Sequence, residues 1–407
     1  MICENISISK DGKHLLFAGQ DTVELAKKYG TPVYLLDEDR IRKKCRIYKA
    51  AFQKHFGEKA VPLYASKANC FKRMYEIMRE EEMGIDVVSS GEIYTAIQAG
   101  FDLSKAYFHS NNKTDKDISY AMEHGIGYFV ADNVEEVIAV EKEAERRGIK
   151  QKILLRLTPG IDPHTYEAIS TGKVDSKFGS PIETGQAEEI TVFTLKQAHI
   201  ELMGFHCHVG SQVFEEDVFE RAAVVMLKFV ADMKEKYGFI TPELDLGGGY
   251  GVRYVETDPY LDIETKVGQV AEAVKQACKE FGIEMPEIHM EPGRSIVADA
   301  GMVLYTVGTV KKIPGYKNYV SIDGGMTDSP RYALYKANYT CLLANKMDEA
   351  NDFKAALVSL IERIETKKAA DEHTLRNSFF LENEDGTPEN MIKQFNELVE
   401  EYNRSIR

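Results

Sequence analysis

From about residue 36 to residue 292, short runs of β-branched and aromatic residues alternate with longer stretches whose apolar positions recur at helical spacing. Eight runs read as strands: VPLYA near 61–65, GIDVVS near 84–89, AYFHS near 106–110, GYFVA near 127–131, ILLRL near 153–157, MGFHCH near 203–208, ELDL near 243–246 and EIHM near 287–290. Helical patterns separate them. FKRMYEIMREEEM puts Phe71, Met74, Ile77 and Met78 on one face, and VEEVIAVEKEAERRG ends at Gly148, a residue suited to a left-handed helix stop. Helix between each strand and the next predicts a closed parallel (β/α)8 TIM barrel over 36–296, with a doubly wound open sheet as the alternative.

The flanks carry a different pattern. Residues 1–35 and 297–348 hold alternating runs such as GMVLYTVGTVKKI and NYVSIDGG, which predict a second, β-rich domain built from both chain ends. In 349–407 the period changes again: Phe353, Ala356, Leu357, Leu360, Ile361 and Ile364 recur at helical spacing. After a turn at DGTPEN, with Pro388 suited to a first helical position, Phe395, Leu398 and Tyr402 mark a second amphipathic helix. A helical C-terminal tail is therefore expected.

Composition narrows the class. The 407 residues are 43% hydrophobic and 29% charged with a net charge of −14, which excludes collagen-like and disordered chains. No apolar run approaches the roughly 18 residues of a spanning helix. The acidic balance argues against nucleic acid as a partner. The opening MICENISISKDG lacks the basic-then-apolar layout of a signal peptide. Cys3, Cys45, Cys70, Cys207, Cys278 and Cys341 are scattered without CxxC spacing, so a cytoplasmic chain with free thiols is expected.

In a (β/α)8 barrel the side chains just past the strand C-termini face the active site. Those positions here hold Lys67, Arg156, His208, Ser211, Gly247, Gly248, Gly249, Glu291, Gly293 and Arg294. The three glycines of DLGGGYG let backbone N–H groups approach a phosphate, and Arg294 of EPGR adds charge-assisted hydrogen bonds; a turn serving only backbone geometry is the plain alternative. Lys67, flanked by the small Ala65, Ser66 and Ala68, has room to react with an aldehyde, unless it is an ordinary solvated lysine. Pyridoxal phosphate offers both an aldehyde and a phosphate. Glu291 opposite its pyridine nitrogen would keep that nitrogen protonated, strengthening the ring as a sink for the carbanion left by departing carbon dioxide. A neutral His208 could stack on the ring or be a hydrogen-bonded core histidine. His206 and His208 are expected on one strand face with no third ligand, so no metal is expected.

Taken in order with PVYLLDEDRIR, GIDVVSSGE, FHSNNKT, STGKVDSKFG and SIDGGMTDSPRYALYKA, these motifs give a chain that resembles the fold-type III pyridoxal-phosphate decarboxylases and, within them, the diaminopimelate decarboxylase family. The resemblance implies an alanine racemase-like barrel and a pyridoxal 5'-phosphate bound through Lys67. It implies that His208 stacks on the ring and that Glu291 pairs with its nitrogen. Ser211, Gly247, Gly248, Gly249 and Arg294 would surround the phosphate and nearby substrate groups, with Arg156 and Gly293 in the same cofactor site. Arg294 would also touch substrate, and Arg331 and Tyr335 of SPRYALY would grip its distal carboxylate. That last motif separates the diaminopimelate reading from ornithine and arginine decarboxylases and alanine racemase.

The implied reaction is decarboxylation of meso-2,6-diaminopimelate to L-lysine, a lyase step of lysine biosynthesis, in a homodimer whose active sites are completed across the interface. After ANKMDEA the chain departs from the family: it has no Cys-Glu-Ser-Gly-Asp motif, no later tyrosine matching the family's, and no cysteine beyond Cys341. That departure keeps two other readings open, a catalytically impaired cofactor-binding relative with a regulatory or assembly role, and a decarboxylase of another amino acid.

Overall fold

The computed structural model describes residues 2–58, 60–163, 171–316, 318–325, 328, 331 and 337–349, with the backbone of Ala356–Val358. Every residue of the strands Leu63–Ala65, Gly84–Val87, Ala106–Phe108 and Glu243–Asp245 is buried. Strands buried on both faces need cover on both, and a parallel sheet curled on itself inside a ring of helices supplies it. The sheet runs through β1 (Leu63–Ala65), β2 (Gly84–Val87), β3 (Ala106–Phe108), β4 (Tyr128–Ala131), β5 (Gln151–Thr158), β6 (Ile200–His206), β7 (Glu243–Asp245) and β8 (Glu287–His289), each parallel to the next. The ring closes where Leu63 N–H donates to the Met290 carbonyl at 2.9 Å and Ala65 N–H to the Pro292 carbonyl at 3.2 Å. This is the (β/α)8 barrel expected from the eight apolar runs, and the open sheet is excluded.

The helical readings hold with one correction. Met74, Ile77 and Met78 face the core from Lys72–Glu80, but Phe71 is the exposed residue that caps this helix rather than part of its buried stripe. Helix Val134–Arg147 starts on the Asn133 side chain and stops at Gly148 in the left-handed conformation.

At the N-terminal end of the barrel the interior is plugged by a polar contact. Tyr107 and Tyr128 stack with ring centroids 4.2 Å apart, and both hydroxyls donate to Glu243 at 3.0 Å. The contact joins β3 and β4 to β7 across the lumen.

The two ends of the chain meet in β structure, as expected. Val33–Leu36 pairs antiparallel with Gly301–Leu304, and Leu15 N–H donates to the Ala344 carbonyl at 2.8 Å. Strands Ile6–Ile8, Leu15–Phe17 and Gln20–Asp21 form one small sheet. The run GMVLYTVGTVKKI splits into Gly301–Leu304 and Val307–Lys312, and the latter pairs with Asn318–Ile322. Ala356–Val358 is a third strand of that sheet, parallel to Asn318–Ile322, not the start of a helix. The open edge of Asn318–Ile322 offers backbone partners that override the local helical period. The rest of the expected helical tail, including Pro388, Phe395, Leu398 and Tyr402, lies outside the described residues.

Glu243→Ala strands two tyrosine hydroxyls inside the barrel and should lower the unfolding free energy by about 2 kcal/mol. Urea unfolding checks this, and an unchanged midpoint would contradict the plug.

Candidate active site

Charged side chains inside an apolar barrel persist only where they pair, and the C-terminal ends of the strands hold a cluster that does so. Asp86 of β2, His206 and Asp245 at the ends of β6 and β7, His109 just past β3 and Glu291 just past β8 are all buried. Glu291 is the hub. Its Oε1 lies 2.8 Å from His109 Nε2 and its Oε2 lies 3.3 Å from His206 Nε2. The two imidazoles meet edge to face with centroids 4.8 Å apart. Asp86 sits 3.9 Å from His109 and 4.0 Å from the Lys67 ammonium.

Lys67 stands in the single turn Ser66–Ala68 that follows β1, and its side chain is 49% exposed. Its amine lies beside the buried Asp86 while the side chain remains half open to an incoming molecule. Arg156, near the end of β5, is buried with its guanidinium 4.3 Å from the Phe178 ring centre and 4.0 Å from Asp132.

The titration of these groups follows from their surroundings. Burial alone would raise the Glu291 carboxyl, but the imidazoles of His109 and His206 hold it well below the ordinary carboxylate range. Burial raises Asp86, and burial with the Glu291 charge raises Asp245 well above that range. Burial pushes His206 down to about 3, and burial with the nearby Lys67 and Arg156 charges holds His208 well below an ordinary imidazole. At neutral pH the cluster therefore presents an ionised Glu291 beside a neutral His206.

Above the cluster, the Gly247–Gly249 turn runs against the chain on both sides. Gly247 has φ +68° and Gly249 φ +131°, and a Cβ on Gly248 would run into the Glu291 carbonyl oxygen. Gly248 N–H donates to His208 Nδ1 at 3.3 Å, and Asp245 accepts from Gly247 N–H at 2.8 Å. Gly293 packs so closely on β1 that a Cβ there would lie 2.9 Å from that of Ala65. Arg294 Nε donates to Ser211 Oγ at 3.1 Å, and its Nη1 donates to the Tyr254 hydroxyl at 2.9 Å. Arg331 stacks on the Tyr254 ring with Cζ 4.2 Å from the centroid. Tyr335 lies outside the described residues.

A family profile described as "Pyridoxal-dependent decarboxylase, pyridoxal binding domain" matches residues 38–298. A diaminopimelate decarboxylase of Bacillus subtilis is 44% identical over 83% of this chain and 77% of its own length. One from Staphylococcus aureus is 44% identical over 81% of the chain and 76% of its own. The crystal structure of diaminopimelate decarboxylase from M. jannaschii in co-complex with L-lysine superposes with a TM-score of 0.79 at 30% identity, covering 88% of this chain and 82% of that one. The chain belongs to the diaminopimelate decarboxylase family of pyridoxal-dependent decarboxylases.

The side chains fit the cofactor of that family. Ser66 Oγ, both Asp86 oxygens, His206 Nδ1 and Glu291 Oε1 are buried polar atoms without an aligned hydrogen-bond partner among the described residues, and they gather at the barrel mouth beside Lys67. The side-chain-free glycine turn and the Ser211–Arg294 pair suit an anion at its rim. Among diaminopimelate decarboxylase motifs, those selected from sequence meet in space at Lys67, His208, Ser211, Gly247, Gly248, Gly249, Glu291, Gly293 and Arg294, with Arg156 on the opposite wall.

Asp86, His109, Asp245 and Tyr254 were not selected. For the first three the signal was present: a carboxylate or imidazole within or just past a short barrel strand. The expectation that His206 lacks further donor neighbours is corrected, because His109, Asp245 and Glu291 lie with it in a set whose donor atoms are all within 4.8 Å of one another. The spacing would suit a divalent cation, but the Glu291 oxygens are already paired with His109 and His206.

His206 titrates near 3 when folded and near 6.5 when unfolded, so its contribution to stability is complete above about pH 6.5 and is lost as pH falls toward 3. Urea midpoints measured from pH 7 to pH 4 should fall, and His206→Gln should flatten the slope. Parallel profiles for the two proteins would contradict this.

Proposed function

We propose that this chain decarboxylates meso-2,6-diaminopimelate to L-lysine and carbon dioxide, with pyridoxal 5'-phosphate, as a cytoplasmic homodimer. The observation that carries the substrate is the 44% identity to a Bacillus subtilis diaminopimelate decarboxylase over 83% of the chain. No helix among the described residues is long and apolar enough to cross a membrane. We take residues 36–296 as the cofactor-binding barrel, 1–35 with 297–348 as the β-rich domain, and 349–407 as an appended segment.

Bound pyridoxal phosphate supplies an aldehyde for the substrate amine and a ring that takes up the electron pair left when carbon dioxide departs. Lys67 holds the aldehyde end, because its amine is open to the mouth yet tethered beside buried acids. An amine must lose its proton to react, and Asp86 at 4.0 Å is placed to take it. Glu291 carries the charge that favours a protonated ring nitrogen, and it does so at a fixed position because two imidazoles grip it. A neutral His208 would flank the ring without adding positive charge to it. Ser211, Arg294 and the Gly249 end of the glycine turn would hold the phosphate, since the Gly247 and Gly248 N–H groups are taken by Asp245 and His208. Arg331 receives the distal carboxylate of the substrate, since its fork matches a carboxylate and its Nε and Nη1 have no hydrogen-bond partner among the described residues.

Carbon dioxide release from meso-diaminopimelate, compared with ornithine, arginine and lysine, tests the activity. Release from meso-diaminopimelate alone is the expected result, and cofactor binding without any release would overturn it. Lys67→Ala should lower turnover about a thousandfold or more and remove the pyridoxyl label fixed by borohydride; a label retained in that variant would refute the lysine assignment. Arg331→Ala should raise KM for diaminopimelate about tenfold or more with cofactor Kd changed less than about threefold, and equal losses would count against its role.

A further inference from the structure

Tyr254 lies in the loop after β7, in GVRYVETD, and makes contacts that no part of the cofactor site requires. Its hydroxyl accepts from Arg294 Nη1 at 2.9 Å, while the face of its ring carries the Arg331 guanidinium with Cζ at 4.2 Å. The hydroxyl points along the ring plane and the π face is perpendicular to it, so one rigid side chain fixes two cations in two directions. The tyrosine is itself anchored. Thr340 donates to its carbonyl from N–H at 3.1 Å and Oγ1 at 2.8 Å, its own N–H donates to Asp258 at 2.8 Å, and Tyr339 packs edge-on with centroids 5.3 Å apart.

Arg331 and Thr340 come from the segment beyond the barrel, whereas Arg294 follows β8. Tyr254 therefore sets where a guanidinium from the β-rich part stands relative to one from the barrel. Arg331 Nε and Nη1 are enclosed without a hydrogen-bond partner among the described residues, which is costly unless a ligand completes them.

We infer that Tyr254 is a positioning residue that holds Arg331 and Arg294 for the second carboxylate of a dicarboxylate substrate. The inference deepens the function proposed above and rests on it. Specificity follows directly: a substrate that ends in an amine would meet two cations at this point, while one that ends in a carboxylate completes the unpaired donors.

L-lysine tests this without turnover, because it keeps the carboxylate that decarboxylation leaves in place. Calorimetric titration of L-lysine into the cofactor-loaded protein should show about a tenfold or greater loss of affinity in Tyr254→Leu, which removes the π face. Tyr254→Phe keeps that face and loses only the hydroxyl that accepts from Arg294, so its loss should be smaller, about threefold. Pyridoxal phosphate affinity, read by fluorescence on the cofactor-free protein, should change less than about threefold in both variants, which also shows that each folds. With meso-diaminopimelate, Tyr254→Leu should raise KM more than it lowers kcat.

Unchanged L-lysine affinity in Tyr254→Leu, equal losses in Leu and Phe, or a parallel loss of cofactor would overturn the inference. Lack of L-lysine binding by the unmodified chain would overturn it as well. Graded L-lysine binding in a chain that releases no carbon dioxide would instead refute the proposed activity and leave the role of Tyr254 standing.

Discussion

The site depends on keeping one buried carboxylate ionised. Glu291 sits inside a barrel lined by apolar strands, where an isolated charge would neutralise itself by taking up a proton. Two imidazoles prevent this by pairing with both of its oxygens, at 2.8 and 3.3 Å, while burial keeps His206 neutral and raises the neighbouring Asp245 and Asp86. Within a few ångströms the barrel thus separates carboxyls whose proton affinity is raised from one whose proton affinity is lowered. A carboxylate fixed in this way is what a pyridine ring needs opposite its nitrogen in order to accept electrons.

The backbone serves the same end. Glu291 and Arg294 follow β8 three positions apart, and Glu291 N–H donates to the Gly247 carbonyl at 2.8 Å, so the glycine turn and the charged hub share one framework. The deep cluster and the rim have different origins. Glu291, His109, His206, Asp86 and Asp245 come from barrel strand ends, whereas Arg331 belongs to the segment that follows and reaches the rim through Tyr254. Under the proposed function, electron acceptance would therefore reside in the barrel, and recognition of the far end of the substrate would be divided between the barrel and the β-rich part.

Much of this was legible in the chain. Eight apolar runs gave the eight strands because parallel barrel strands are buried on both faces and show up as short apolar blocks. Lys67, Glu291, Arg294 and the three glycines stood out because each follows such a block. His109 and Asp245 did not, since a lone polar residue inside a strand reads equally well as a satisfied core group until the residues across the barrel are known. Tyr254 was hidden for another reason: its partners, Arg294 and Arg331, are 40 and 77 positions away in the chain, and no local period reports that. Ala356–Val358 misled because their helical spacing competes with an open strand edge that only the fold reveals.

Nitrogen NMR of the protein loaded with pyridoxal phosphate labelled with 15N in the ring tests the central claim most directly. A signal characteristic of a protonated pyridine nitrogen in the unmodified chain, moving to the unprotonated position in Glu291→Gln, is the expected result. An unprotonated nitrogen in the unmodified protein, or one indifferent to the substitution, would contradict the account.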